Sequence, residues 1–183
     1  MKCLRTRLSI NLKNLKVIVG DITQLDFRPG AIVNAANEHL AEGGGVCGAI
    51  HKAAGPGLEQ EAQARHGSCP TGQAVATGAY KLNADYIIHA VGPKYWDGSR
   101  GESKLLASAY ASAIKLADDL GLESIVFPSI STGIYGYPIQ SAAKVAIQAI
   151  DQAMSEAKTL KNVYLCCFSQ GDADYYQKAQ NDL

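Results

Sequence analysis

The chain has no long apolar run, no excess of either charge and no metal-ligand spacing, and each lack removes a class of function. No stretch approaches the ~18 consecutive apolar residues that a membrane-spanning helix needs. The 17 Lys and Arg stand against 17 Asp and Glu, for a formal net charge of zero. There is thus no basic field to collect a phosphate backbone, which argues against non-specific DNA or RNA binding. Five cysteines (Cys3, Cys47, Cys69, Cys166, Cys167) form no Cys-x-x-Cys pair and no Cys/His cluster at zinc spacing, so neither structural zinc nor a disulfide framework is expected, and no cofactor is called for. Met1 to Lys13 alternate charge with Leu8, Ile10 and Leu12 instead of offering a signal-peptide stretch, so the expected location is the cytoplasm. Repeats, low-complexity tracts and linkers are lacking too. The 183 residues, 47% of them hydrophobic, are read as one domain over 1–183 with a real core.

What is present is an alternation of strand and helix patterns. Period-two or short apolar runs predict strands at Arg5 to Leu12, Leu15 to Val19, Ala31 to Asn34, Ala74 to Thr77, Tyr86 to Val91, Ser124 to Phe127 and Val163 to Phe168. Apolar residues at spacings of three and four predict helices at Lys104 to Leu120 and Pro138 to Met154; a shorter helix at Val46 to Ala54 stops at Gly55-Pro56, and others are expected around Leu58 to Arg65 and near Ala173 to Asn181. Strands interleaved with helices imply an α/β fold, a three-layer α/β/α sandwich on a mixed, mostly parallel central sheet with antiparallel members near the edge.

In such sheets ligands gather at the carboxyl ends of the strands, and three outgoing segments carry suitable chemistry. Asp21 follows the run Val17 to Val19 and could accept a hydrogen bond from an exocyclic amine such as that of adenine, although an Asp here also commonly caps or turns the chain. Asn34 to Gly48 is polar and glycine-rich, and Gly43-Gly44-Gly45 remove every Cβ just before a helix. Backbone N–H groups at the positive end of that helix would then be open to a diphosphate, unless the triplet is only a surface turn. Gly43, Gly45 and Gly48 match G-x-G-x-x-G, but they sit too far from the strand and lack the following acid of a dinucleotide fold. Pro128 to Pro138 is longer than the usual ~2 to 6 residues of such connections and carries hydroxyls, two glycines and two tyrosines. It can wrap phosphate oxygens and lay a ring on a sugar, or serve as an ordinary loop. Phe168 could stack on a purine, though an aromatic at a strand end is more often core. No G-x-S-x-G elbow, H-E-x-x-H, Walker loop or cysteine-phosphatase loop is present, and His39, His51, His66 and His89 read as structural or exposed.

Taken in order and at their spacing, Gly20-Asp21-Ile22-Thr23, Asn34-Ala35-Ala36-Asn37, Gly43 to Ala49 with Ile50-His51 and Ala53-Ala54-Gly55, Cys69-Pro70-Thr71-Gly72, His89-Ala90-Val91-Gly92-Pro93 and Phe127 to Pro138 resemble a macrodomain, the ADP-ribose-binding α/β/α module. The closest likeness is to the MacroD-type branch of ADP-ribosyl hydrolases, from about Leu15 to Asn181. The resemblance implies that Asp21 receives the adenine amine, that the Ile22 backbone flanks the ring and that Phe168 stacks on it. Asn37 would hold the distal ribose. Gly44, Gly45 and Val46 would line one side of the diphosphate, opposite a loop of Ser131, Thr132, Gly133, Ile134 and Tyr135, with Tyr135 along the ribose.

One position departs from the pattern. That branch carries Asp after the glycines, where this chain has Cys47, a poor general base near neutral pH, although some viral macrodomains also carry Cys there and are regarded as hydrolases. The resemblance implies catalysis through Asn37, Cys47 and Tyr135, without metal, by orientation of water and sugar. The implied activity is release of mono-ADP-ribose from Asp or Glu side chains of modified proteins, with related deacetylation of O-acetyl-ADP-ribose. The alternative is a non-catalytic reader of ADP-ribose.

Overall fold

A computed structural model describes residues 12–183. The strand expected from Arg5 lies outside the described residues up to position 11, and Leu12 instead opens a single 3-10 turn, Leu12–Asn14. Six strands follow: β1 (Leu15–Val19), β2 (Ala31–Ala36), β3 (Ala74–Gly78), β4 (Tyr86–Val91), β5 (Ser124–Phe127) and β6 (Asn162–Cys167). Five helices lie between and after them: α1 (Gly45–Ala54), α2 (Gly57–His66), α3 (Glu102–Asp119), α4 (Ile139–Met154) and α5 (Gln170–Asn181). The strand order is β1-β6-β5-β2-β4-β3, parallel throughout except for β3, which runs antiparallel to β4 at one edge. The expected α/β/α sandwich is thus the observed one.

Alternation along the strands divides the core between the two faces of the sheet. Ala31, Val33, Ile88, Ala90, Ile125, Phe127, Val163 and Leu165 pack with α3, α4 and α5, whereas Ile32, Ile87, Val126 and Cys166 pack with Ile50, Ala54 and Leu58 of α1 and α2. The first face is the larger. Its aromatic centre is Tyr110 against Phe127, ring centroids 5.0 Å apart, and truncating such a buried ring costs about 3–5 kcal/mol. Small residues keep α3 and α4 close to the sheet: Ala109, Ala113, Ala117, Ala142, Ala143 and Ala146 are all buried. Three helices on one face and two on the other thus flank a sheet whose parallel strands all present their carboxyl ends on one side.

No described helix is long and apolar enough to cross a membrane, and no described cluster of three or more His, Cys, Asp or Glu could hold a metal.

Candidate functional site

β2 and β5 are neighbours in the sheet, yet their outgoing loops part to opposite faces, β2 towards α1 and β5 towards α4. A crevice opens where connections diverge in this way, and ligands of open α/β sheets lie in it. Here it is lined by the end of β2 (Ala35, Ala36, Asn37), the glycine loop Gly43 to Cys47, Gly92 after β4, and Ser129, Ile130, Ser131, Gly133, Ile134 and Tyr135 after β5.

One wall is the N-terminus of α1. Its N-cap, Gly44, supplies no side-chain bond, so the first-turn N–H groups keep the unpaired donors and positive dipole end that suit an anion. Gly45 has a φ of +59 with open space where a Cβ would stand, and a Cβ on Gly48 would lie 2.5 Å from the Gly43 carbonyl oxygen. Glycine at 48 is what lets the loop fold back over the first turn of the helix. The opposite wall is the loop after β5, tied by Tyr137 N–H to Ser131 O (2.9 Å), Gly136 N–H to Gly133 O (3.0 Å) and Tyr95 N–H to Tyr135 O (2.8 Å). Ile134, 79% exposed, leans over the crevice until its Cδ1 would be 3.9 Å from a Cβ on Gly44. The two loops meet at the rim.

Ser131 is the most constrained residue of that wall. Its φ is +67, a left-handed conformation that costs a non-glycine residue roughly 1–3 kcal/mol. Its buried hydroxyl has no hydrogen-bond partner within the protein, which costs about 1–3 kcal/mol more. Strain and an unpaired hydroxyl thus coincide on one crevice-lining residue. Gly92 faces it so closely that any side chain there would collide with Ser131 Oγ and Ile130 Cγ2.

The side chain of Asn37 braces its own loop. Its Oδ1 accepts from His39 N–H (3.1 Å) and Ala41 N–H (3.2 Å), and its Nδ2 donates to Ala41 O (2.8 Å), which leaves one amide N–H for the crevice. Cys47 is buried in the first turn of α1, with its thiol 3.7 Å from Ala41 O. Burial pushes that thiol upward, against the pull of the Asn34 amide, so it is protonated near neutral pH and cannot act as a base. Tyr135 is raised as well, by burial and then by its proximity to Cys47 and Glu38.

Beneath Cys47 runs a buried polar chain that sequence reasoning missed. Asn34 and His89 are cross-strand partners on β2 and β4. Asn34 Nδ2 lies 3.2 Å from His89 Nδ1 and 3.7 Å from Cys47 Sγ, and His89 Nε2 lies 2.9 Å from Thr77 Oγ1. Because Asn34 Nδ2 can only donate, His89 accepts at Nδ1 and carries its proton on Nε2, passing a hydrogen bond to Thr77, whose hydroxyl in turn donates to Gly78 O (3.2 Å). Burial drives His89 down to about 3, so it is neutral. His51 is also buried and lowered by burial; its Nδ1 is 4.0 Å from Glu59 Oε2, while its Nε2 has no partner. The signal for this layer, polar Asn34 and His89 inside apolar strands, was visible in the sequence, but the pairing of β2 with β4 was not.

The remaining expected residues lie beside the crevice. β1 pairs with β6 through Val19 and Cys167, which sets Asp21 and Phe168 just beyond the ends of adjacent strands, on the same side of the sheet as the crevice. Phe168 is 85% exposed, not core. Ile22 is buried in the face under α1, which leaves only its backbone for a ligand. Asp21 turns its own chain, accepting from Thr23 N–H (2.9 Å), Thr23 Oγ1 (2.7 Å) and Gln24 Nε2 (3.3 Å). Those contacts hold its carboxyl below its usual range, the Thr23 hydroxyl foremost, so it is a charged acceptor. Thr132 does not line the crevice; its hydroxyl donates to Ser129 O (3.0 Å). The structure thus gathers Asn37, Gly44, Gly45, Val46, Cys47, Ser131, Gly133, Ile134 and Tyr135 around one crevice, with Asp21 and Phe168 at the ends of the neighbouring strands.

The chain is similar to known proteins in both sequence and fold. The sequence model of the Macro domain family matches residues 33–146. An O-acetyl-ADP-ribose deacetylase of Pantoea vagans is 49% identical over 93% of this chain and all of its own length. A variant of the Oceanobacillus iheyensis macrodomain, solved with ADPR, superposes with a TM-score of 0.86 at 41% identity over 94% of this chain and 95% of the other. A Trypanosoma brucei macrodomain in complex with ADP-ribose gives 0.82 at 36% identity, over 91% of this chain and 69% of the other.

Proposed function

The chain belongs to the Macro domain family, and on that premise we propose that it binds ADP-ribose in the crevice between the glycine loop and the loop after β5 and hydrolyses esters at the distal ribose. The substrates are O-acetyl-ADP-ribose and mono-ADP-ribose attached to Asp or Glu of modified proteins. The observation that carries this reading is the uncapped α1 N-terminus facing, across the rim, a strained loop with an unpaired buried hydroxyl. Donors fixed in advance on both sides of a narrow crevice suit a diphosphate. Asp21 and Phe168 sit where an adenine would lie, beyond β1 and β6, so the ligand spans the strand ends from β1 towards β2.

The chemistry follows from what Cys47 cannot do. Its thiol is raised by burial and donates to Ala41 O, so it neither takes a proton from water nor attacks the ester. Hydrolysis adds water across the ester, freeing a carboxylate, a ribose hydroxyl and a proton, and the attacking water is oriented by the bound diphosphate. The spare N–H of Asn37 and the ring of Tyr135 hold the sugar, and most of the acceleration comes from orientation and fixed dipoles.

The same thiol favours a second reading, a reader that binds without turnover. Incubation with O-acetyl-ADP-ribose and with a Glu-linked mono-ADP-ribosylated protein separates the two. Release of acetate and of free ADP-ribose by the natural sequence is expected. Tight binding of ADP-ribose with no release from either substrate would establish the reader.

A further inference from the structure

The buried polar chain beneath Cys47 is a burden that packing does not explain. Alternation along β2 and β4 puts Asn34 and His89 on the face that Ile32 and Ile87 present to α1 and α2, and both are fully buried. Asn34 Oδ1 has no hydrogen-bond partner there. Apolar residues of similar shape would serve the core at least as well. What the pair supplies instead is direction. Asn34 Nδ2 carries two hydrogens, and its two contacts use both, one to His89 Nδ1 (3.2 Å) and one to Cys47 Sγ (3.7 Å). The thiol accepts from below and turns its own hydrogen to Ala41 O (3.7 Å). That same carbonyl accepts from Asn37 Nδ2 (2.8 Å). Thiol and amide flank one point of the loop, because a Cβ on Gly43 would stand 3.5 Å from Asn37 Nδ2 and 3.6 Å from Cys47 Sγ. Donors and acceptors thus run in one sense from the middle of the sheet to a side chain of the crevice. In the opposite sense, with the proton on His89 Nδ1 and the Asn34 amide turned about, the thiol would donate to Asn34 Oδ1 and release Ala41 O.

We propose that Asn34 and His89 are positioning residues for ester hydrolysis: through the Cys47 thiol they fix the Ala41 carbonyl, and with it the Asn37 amide, on the reading that Asn37 holds the distal ribose. Neither residue lines the crevice, so what they do to the reaction passes through the loop above them. On the same reading the adenine and the diphosphate are held by other groups. A small displacement at the reacting end alone therefore costs rate more than binding.

Steady-state hydrolysis of O-acetyl-ADP-ribose, calorimetry with ADP-ribose and the side-chain amide resonances of Asn37 supply the test. Asn34→Leu should lower kcat about tenfold, a modest part of what misplacement of a reacting group can cost, while KM and the affinity for ADP-ribose stay within about twofold. The Asn37 side-chain signals should shift in the same variant. His89→Leu should behave alike, and His89→Asn, whose amide oxygen stands where Nδ1 does, should recover most of the rate. Both His89 variants lose the ring, so their difference reports the acceptor and not the packing, and it does not depend on Asn34→Leu folding. In the natural protein the imidazole nitrogen shifts should place the His89 proton on Nε2. Natural kcat and unmoved Asn37 signals in Asn34→Leu, equal rates in His89→Leu and His89→Asn, a loss of ADP-ribose affinity as large as the loss of kcat, or a His89 proton on Nδ1 would each overturn the proposal. A natural protein that binds ADP-ribose and cleaves neither ester would remove the hydrolase reading instead, and the Asn37 signals of the variants would then decide the positioning by themselves.

Discussion

At the scale of single residues the account turns on Cys47, Gly48 and His89. Replacing Cys47 by Asp puts a carboxylate where a protonated thiol now stands, at a helix N-terminus that favours negative charge. Cys47→Asp is expected to raise ester turnover on the order of a hundredfold, the low end of what a positioned general base contributes, as measured by acetate release. A rate equal to or below that of the natural sequence would show that position 47 takes no part in activating water. The four thiols among the described residues should be inert. Burial raises Cys47, and it carries Cys69 and Cys166 to about 11 and Cys167 to about 12, so brief iodoacetamide treatment of the folded protein at pH 7 should leave all four unmodified by mass spectrometry. Gly48→Ala must push the Gly43 carbonyl away from a Cβ that would stand 2.5 Å from it. It should lose about 1–3 kcal/mol of stability and most of the affinity for ADP-ribose, because the loop that shifts is the one proposed to line the diphosphate.

His89 couples the fold to pH. Its folded value of about 3 lies below the 6.5 of a free side chain, so between those values the unfolded chain binds a proton that the folded chain refuses. Stability therefore rises with pH through that window, and it falls as pH drops from 6.5 towards 3. His51, also lowered by burial, acts in the same direction. Urea unfolding is expected to show a loss on the order of 2 kcal/mol between pH 7 and pH 5, and His89→Leu, although less stable at pH 7, should show a smaller loss over the same interval. Equal losses in the two proteins would place the pH sensitivity elsewhere.

At the scale of elements, the sequence reading located the six strands and five α-helices of the described residues but not the 3-10 turn at Leu12–Asn14; apolar stripes found α3 and α4 because those helices cover the larger face of the sheet. β1, β4 and β5 have the boundaries that patterning predicts. Three of the displaced ends have a visible physical cause. β2 runs on to Ala36 past Asn34, which reads as polar punctuation but is buried against His89 across the sheet. α3 begins at Glu102 because that carboxylate gathers the N–H groups of the preceding loop. α5 begins at Gln170 because the Ser169 hydroxyl accepts the Asp172 N–H at 3.2 Å, a capping signal present in the sequence. Strand order and register could not be read from one sequence, and so the Thr77, His89, Asn34 and Cys47 chain stayed hidden although each of its members was visible. The opposing glycine and hydroxyl loops were legible because both leave strands and enter helices.

A tie at the far end of the sheet separates stability from binding. Asp118, near the C-terminus of α3, accepts from Lys158 N–H (2.9 Å), Thr159 N–H (2.7 Å), Leu160 N–H (2.9 Å) and Thr159 Oγ1 (2.8 Å), and these donors, Leu160 first, hold its carboxyl far below its usual range. Asp118→Ala should lower the thermal midpoint, with Asp118→Asn less affected because its carbonyl oxygen still accepts. Both should bind ADP-ribose as the natural sequence does. A loss of affinity in either would mean that the α4–β6 connection communicates with the crevice.

At the scale of the whole molecule, function follows from where the sheet sends its connections. The glycine loop and the loop after β5 depart to opposite faces from adjacent parallel strands, and their divergence creates the crevice on which the reading depends. The most direct test is a titration of the isotope-labelled protein with ADP-ribose, following backbone amide resonances. The largest shifts are predicted at Gly44 to Cys47 and Ser131 to Tyr135, with smaller ones at Asp21 and Ile22 and none around Asp118. Shifts centred on another surface, or amides of the two loops that stay still while the ligand binds, would contradict the account.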